Sequence, residues 1–191
     1  MSVLQAFADE SFHEDDGGGF YVLAAAVLPV DRHAELRQLM LDLRGPRSGK
    51  LHWQVLTEAQ RRDAAKRVAD VDELHFVAVG SPVPVRRQER GRALCLQRLV
   101  AELHGAGVEH LIAEGRTIQL NARDIRTVQQ ARFMLPKGAR FRLDHTPGVD
   151  EPLLWVSDIV AGAVRARLHG NETFFEPLAG CVLELQVETR T

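Results

Sequence analysis

Two apolar segments near the start of the chain, separated by a short glycine-rich stretch, most constrain the fold. Residues 3–8 and 20–28 each predict a β-strand, and the polar stretch 13–19, with three consecutive glycines, predicts a hairpin turn between them. Strands joined by so short a turn pair in antiparallel fashion. The chain is therefore expected to begin with an antiparallel pair.

Helical and extended patterns alternate after this pair. Thr57-Glu58-Ala59-Gln60 has the pattern of a capping box, which opens a charged helix. The other predicted helices are one capped by Asp31 with the stripe Leu36, Leu39, Met40 and Leu43, one containing Leu96, Leu99, Val100 and Leu103 that ends at Gly105, one over 121–133 and one from Asp150 to Leu168. The other predicted strands are 74–79, 108–113, 140–143 and 182–188, the last at a sheet edge. This order predicts an α/β protein with a mixed sheet and helices on both faces, in a single domain over residues 1–191.

Composition excludes several other classes of protein. With 45% hydrophobic and 26% charged residues, the chain is expected to be globular rather than disordered. The first residues lack a basic targeting region, and the longest uncharged apolar stretch, 20–30, is too short to span a bilayer. Cys95 and Cys181 have no metal-ligand spacing and are interpreted as reduced thiols. A cytoplasmic protein without a membrane partner is expected.

Basic residues concentrate in the middle of the chain. Residues 86–142 carry 12 basic and 5 acidic side chains, although the whole chain has a net charge of −2. Arginine accounts for nearly all of the basic residues, and its guanidinium group suits bidentate phosphate contact. Arg86, Arg87 and Arg90 are therefore candidates for nucleic-acid binding. The alternative is that these arginines, with Arg92 and Arg98, only form the solvated side of a helix.

Acidic residues at predicted strand ends and one inside an apolar helix form a second pattern. Asp9, Glu114 and Asp144 each follow a predicted strand, where sites form in sheets of this kind. Asp158 is the only ionisable residue in the run 153–164. A buried carboxylate is costly unless it is paired, protonated or bound to a cation. Small residues three and four positions later, Ala161 and Gly162, would allow a close approach to the same helix face.

These carboxylates suggest a metal site. Asp9, Glu114 and Asp158 could converge to hold Mg²⁺ or Mn²⁺, with Asp144 as a further ligand, because both ions prefer oxygen donors. Such ions promote phosphodiester hydrolysis. The alternative is that Asp9 and Glu114 only begin loops, and that Asp158 forms a buried salt bridge with an arginine.

The same residues carry a family resemblance. Asp9-Glu10-Ser11 after the first strand resembles the opening motif of the domain-of-unknown-function family numbered 3800. The segment Trp155-x-x-Asp158-x-x-Ala161-Gly162-Ala163 is similar to the late helix of that family, and Lys50 resembles its lysine-containing motif. This resemblance implies a ribonuclease-H-like fold and nuclease activity, with Asp9, Glu114 and Asp158 as metal ligands and Lys50 near the substrate phosphate. The chain departs from the family in Lys50-Leu51-His52-Trp53, where a small polar residue often follows the lysine.

The sequence thus predicts a metal-dependent nuclease that acts on DNA or RNA. Its catalytic residues would be Asp9, Glu114, Asp158 and Lys50, and its substrate-binding residues would include His52 and Arg116. His52 is equally compatible with a loop position without a function. The alternative function is a non-catalytic binding or regulatory protein on the same fold, including a subunit of a toxin or defence system.

Overall fold

The structure is a computed structural model that describes residues 2–15 and 18–189. Two residues of the predicted hairpin turn, Asp16 and Gly17, lie outside the described residues. The strands are β1 (Leu4–His13), β2 (Gly19–Pro29), β3 (His75–Val83), β4 (His110–Glu114), β5 (Arg142–Thr146) and β6 (Val182–Glu188). The α-helices are α1 (His33–Arg44), α2 (Glu58–Ala69), α3 (Gln88–Gly105), α4 (Ile118–Ala131) and α5 (Leu154–Leu168).

The described strands form one mixed sheet in the order β5-β4-β1-β2-β3-β6. The strands β1, β2 and β3 are antiparallel neighbours, which confirms the predicted antiparallel start. On one side β4 pairs parallel with β1 and β5 pairs parallel with β4. On the other side β6 pairs parallel with β3 and is an edge strand, as predicted.

Each face of the sheet is covered by helices, as the order of elements predicted. One core contains Leu36 of α1, Ala64 of α2 and Ile159 of α5, and we call this side the α5 face. The other core contains Leu99 of α3 and Val128 of α4, and we call this side the α3 face. Because side chains alternate along a strand, successive residues of β1 point to different faces. With a mixed sheet and helices on both of its faces, the chain is an α/β protein.

Three local predictions differ from the structure. The first strand does not end before Asp9 but continues to His13, because β2 pairs with it over its whole length. Asp31 does not cap α1; it lies in a short 3-10 turn, where its carboxylate accepts a hydrogen bond from Ser2. Asp144 lies in the middle of β5 rather than at its end. The capping box of α2 is confirmed, since Thr57 and Gln60 exchange both of its hydrogen bonds.

Two findings concern the predicted class of the protein. Within residues 2–15 and 18–189, none of the helices combines the length and the apolar character that a membrane span requires. Cys95 and Cys181 are both free thiols, as predicted.

Candidate functional site

Strand register brings Asp9 and Glu114 together. Ala8 of β1 pairs with Ala113 of β4, so the next residues of the two parallel strands, Asp9 and Glu114, are neighbours. Glu114 is the last residue of β4, whereas β1 continues beyond Asp9 and pairs only with β2 there. Phe7 belongs to the core of the α5 face, and alternation places Asp9 on that same face. Both carboxylates therefore lie where the parallel part of the sheet ends.

Helix α5 adds the third carboxylate to the same place. The Ser157 hydroxyl donates a hydrogen bond to the backbone oxygen of Phe7, and this contact fastens α5 to β1 two residues before Asp9. Asp158 is only 5% exposed. Its Oδ2 accepts hydrogen bonds from the backbone N–H of Trp53 at 2.7 Å and from His52 Nδ1 at 3.1 Å. Asp158 is thus paired with these two groups and not with the arginine of the alternative interpretation.

The segment between α1 and α2 packs against α5 and forms one side of the site. Trp53 packs directly over Gly162, where a Cβ atom would overlap the indole ring. The ring also meets Phe174 edge-on, with ring centroids 5.3 Å apart. Gly162, which was predicted to permit a close approach, is therefore approached by Trp53. This packing holds Lys50 and His52, which precede the tryptophan in the same segment, beside the three carboxylates.

Lys50 lies between two of the carboxylates. Its Nζ donates to Asp9 Oδ2 at 3.3 Å and to Glu114 Oε2. Burial alone would lower the pKa of Lys50, but the charge of Asp9 and the hydrogen bond to Glu114 outweigh it and raise the pKa above its ordinary value. The side chain is therefore an ammonium ion at neutral pH.

The carboxylate of Asp9 is in an unfavourable environment for its charge. Burial and the nearby charge of Asp158 raise the pKa of Asp9 well above its usual range, although Lys50 acts in the opposite direction. The hydrogen bond that His52 donates to Asp158 raises the pKa of His52. The site therefore brings negative charges close together, and additional positive charge would stabilise them.

The three carboxylates line a cleft with a volume of about 460 Å³. Besides the predicted residues Asp9, Lys50, His52, Glu114, Arg116 and Asp158, its lining includes Glu10, Ser11, Phe12, Trp53, Gln54, Gly115, Gly162 and Arg165. Sequence reasoning missed Arg165 and the Trp53 N–H donor. Helical spacing could have indicated the arginine, because positions 158, 162 and 165 share one face of a helix.

The donor chemistry of the cluster fits a divalent cation, but the Lys50 ammonium already contacts two of the carboxylates. Carboxylate oxygens are the ligands that Mg²⁺ and Mn²⁺ prefer, and the buried Asp9 is stabilised by a nearby positive charge. Within the described ranges 2–15 and 18–189, no group of three or more His, Cys, Asp or Glu side chains is arranged to hold a metal ion directly. Metal binding would therefore require the Lys50 ammonium to leave Asp9 and Glu114.

A buried ion network on the α3 face supports the same strand ends. The alternative interpretation that placed Arg92 on the solvated side of a helix is wrong, because Arg92 is only 1% exposed. It donates to Glu10 Oε2 at 2.7 Å and to Asp124 at 2.8–3.1 Å. Burial alone would raise the pKa of Asp124, but hydrogen bonds from His145 and Arg92 outweigh it and lower that pKa. The network joins β1, α3, α4 and β5 next to the cleft.

Arg116 belongs to this network as well as to the cleft lining. Its guanidinium contacts Glu89 Oε1 at 2.6 Å and Asp124 Oδ1 at 3.0 Å. The arginine predicted to bind substrate therefore has two carboxylate partners on the α3 face. Because it lies two residues after Glu114, it also fixes the loop that leaves β4.

Several predicted residues lie away from the cleft. Asp144, the proposed fourth ligand, pairs in register with Ile112 on the outer side of β4, and its exposed carboxylate contacts His110 at 2.8 Å. It therefore does not join the other acids, because β5 is one strand further out and Asp144 lies two residues short of the strand end. Arg87 and Arg90 line a separate pocket beside Pro82 and Pro84, and Arg86 lies in the turn before α3.

No protein-family model matches the sequence, and a search of curated proteins finds no match.

Proposed function

We propose that this protein is a metal-dependent nuclease with a ribonuclease-H-like fold, related to the domain-of-unknown-function family numbered 3800. The observation that carries the proposal is the meeting of Asp9, Glu114 and Asp158, from β1, β4 and α5, in one cleft with Lys50. These four residues are separated by up to 149 positions in the sequence. Local patterns selected Asp9, Glu114 and Asp158, and the family resemblance selected Lys50. Their meeting in one cleft supports a shared role.

The sheet supports the proposed fold. A ribonuclease-H-like domain opens with antiparallel strands, continues with alternating helices and strands, and carries acidic residues on its first strand and on a late helix. The order β5-β4-β1-β2-β3, with β1 central and α5 packed on it, has these features. The strand β6 adds an edge beyond β3.

Each side chain has a role in the proposed reaction. Asp9, Glu114 and Asp158 would hold Mg²⁺ or Mn²⁺, and a bound divalent ion supplies a Lewis acid that neutralises charge developing on the phosphate. Lys50, displaced from Asp9 and Glu114, would contact a phosphate oxygen of the substrate. His52 is oriented by Asp158 and carries a raised pKa, so it is suited to donate a proton to the leaving oxygen.

A specific observation also favours the second candidate function, a binding protein without catalysis. Lys50 already neutralises Asp9 and Glu114, and the Trp53 N–H and His52 already satisfy Asp158. A cluster with these partners can serve the structure without a metal ion. The two functions differ in whether a cation can replace Lys50.

Calorimetric titration with Mn²⁺ tests the proposal. We expect the native chain to bind Mn²⁺, and we expect Asp9→Asn to abolish binding because the amide lacks the charge. Asp144→Asn is the matched control, since it removes an acid of the same sheet outside the cleft, and it should bind as the native chain does. Absence of Mn²⁺ binding by the native chain, or binding that survives Asp9→Asn, would refute the metal site and favour the second candidate.

A cleavage assay tests the catalytic role. Labelled DNA and RNA strands should be cut in Mn²⁺ and remain intact in EDTA. Asp158→Asn should reduce cleavage by more than about a hundredfold, because loss of even an outer-shell partner costs 10–100-fold in a metal site. The Asn oxygen can still accept from the Trp53 N–H, so the melting temperature should change little. Undiminished cleavage by this variant would remove Asp158 from the site.

A further inference from the structure

A positively charged surface lies on α4 and on the segment that follows it. Residues 118–142 contain six basic side chains and a single acidic one, Asp124, which is buried against Arg92. The six basic side chains are all exposed: Arg123, Arg126, Arg132, Lys137, Arg140 and Arg142. Within the described part of the chain, only Arg142 has a carboxylate within 4.0 Å, that of Asp144 at 3.9 Å. We call residues 118–142 the α4 surface.

A groove runs along one side of this surface. It lies between α3 and α4, has a volume of about 310 Å³, and is lined by Arg90, Arg123 and Arg126. Glu89 and Asp124 also line it, and their carboxylates are paired with Arg116 and Arg92. The planar guanidinium group of arginine matches the geometry of a phosphate. A flat lipid surface would not enter such a groove, whereas an extended polyanion would.

An exposed aromatic ring stands at the far end of the same surface. Phe133 is 89% exposed and Met134 is 86% exposed, immediately after Arg132. Large apolar side chains this exposed mark interaction sites when polar residues surround them. An aromatic ring beside cationic side chains is the arrangement on which an unpaired base stacks while its phosphate is neutralised.

We propose that the α4 surface binds single-stranded nucleic acid, with Arg123 and Arg126 holding phosphates and Phe133 stacking an unpaired base. This inference rests on the proposed nuclease function and extends it to a substrate class. The cleft residue Arg116 directly precedes Thr117, the N-cap of α4, so the surface begins at the cleft. A helix of 14 residues is about 21 Å long, a length that corresponds to about six stacked nucleotides.

Binding of a labelled single-stranded oligonucleotide of about 12 nucleotides, measured by fluorescence anisotropy in EDTA at several salt concentrations, tests the inference. Replacing Arg123 and Arg126 together by Gln should weaken binding about tenfold. It should also flatten the slope of log affinity against log salt by about 1.4, because each lost phosphate contact on a single strand contributes about 0.7. Phe133→Leu should weaken binding about tenfold and leave the salt slope unchanged, because a leucine keeps the apolar contact but cannot stack a base.

The matched control replaces Arg62 and Arg67 by Gln. These arginines lie on α2, on the opposite face of the sheet, and the change in net charge is the same. The control should leave both affinity and salt slope as in the native chain. Equal weakening by the control, or full affinity in the α4 variants, would overturn the inference. Binding to phosphatidylserine vesicles through Arg123 and Arg126, without oligonucleotide binding, would also overturn it and assign the surface to a membrane.

Failure of this inference can be separated from failure of the proposed function. Anisotropy in EDTA requires neither metal nor cleavage. Cleavage with undisturbed affinity in the α4 variants would overturn only the inference about α4. Absence of cleavage, combined with the expected loss of binding in these variants, would support the α4 surface and refute the nuclease.

Discussion

Acidification should destabilise this protein through His75, which is buried as a neutral imidazole. His75 begins β3 and is fully buried, and neither ring nitrogen has a hydrogen-bond partner among the described residues. Burial lowers its pKa from 6.5 to about 4. The unfolded chain therefore binds a proton at a pH where the folded chain does not. The stability contributed by His75 is complete above pH 6.5 and is lost as the pH falls through 4.

The size of the effect follows from the two pKa values. Each unit of difference corresponds to about 1.4 kcal/mol, so the full loss is about 3 kcal/mol, and the loss between pH 8 and pH 5 is about 2 kcal/mol. His75→Leu, a substitution of similar volume, should remove this part of the pH dependence. At pH 8 it should not destabilise the protein, because it also removes two unpartnered polar atoms from the core.

Urea unfolding at pH 8 and pH 5 measures both effects. The matched control is Phe76→Leu, at the adjacent buried position on the other face of β3, which should lower stability equally at the two pH values. If the native chain and His75→Leu lose the same free energy of unfolding between pH 8 and pH 5, the assignment of a buried neutral imidazole is wrong.

Three further predictions concern the cleft and its support. Asp9→Asn should raise the melting temperature at pH 7 in metal-free buffer. Because the pKa of Asp9 is raised in the folded protein, ionisation of this carboxyl lowers the stability of the protein as the pH rises, and Asn carries no charge. Gly162→Ala should lower the free energy of unfolding by about 1–3 kcal/mol, because the new methyl group overlaps the Trp53 ring, as urea unfolding will show. Arg92→Met should cost about 3–5 kcal/mol in the same measurement, since it leaves Asp124 buried with fewer cationic partners.

Each of these variants has a control of the same kind. Asp144→Asn removes an exposed carboxylate and should leave the melting temperature unchanged. Gly180→Ala adds a methyl group where no atom lies within 4 Å, and its effect should be small. Arg98→Met breaks an exposed pair with Glu102 and should cost less than about 1 kcal/mol. A lower melting temperature for Asp9→Asn, or no difference between the other variants and their controls, would contradict the corresponding prediction.

Local sequence patterns predicted most elements of the fold. The apolar runs of β2 and β6, the capping box of α2 and the apolar periodicity of α3 depend on neighbours within a few residues, and each was predicted close to its observed place. The same patterns singled out Asp158, because one ionisable residue in a long apolar run is visible without any tertiary information.

The burial of Arg92 could not be predicted from such patterns. It lies four and seven residues before Leu96 and Leu99, so helical spacing placed it on the buried face of α3, yet its charge favoured a solvated or phosphate-binding role. Its burial depends on Asp124, which lies 32 positions later and becomes a partner only when α4 packs beside α3. The sequence contained the spacing but not the partner.

The sequence by itself determined which acidic residues were candidates, whereas only the tertiary structure decided which of them meet. Asp9 and Glu114 are neighbours because Ala8 pairs with Ala113, and Asp144 is excluded because β5 adds one strand further out with Asp144 two residues short of the strand end. Strand register, and the docking of α5 through Ser157, depend on contacts between residues far apart in the chain. Short-range propensity cannot specify such contacts, because their free energy exists only once the whole sheet and its two cores have formed.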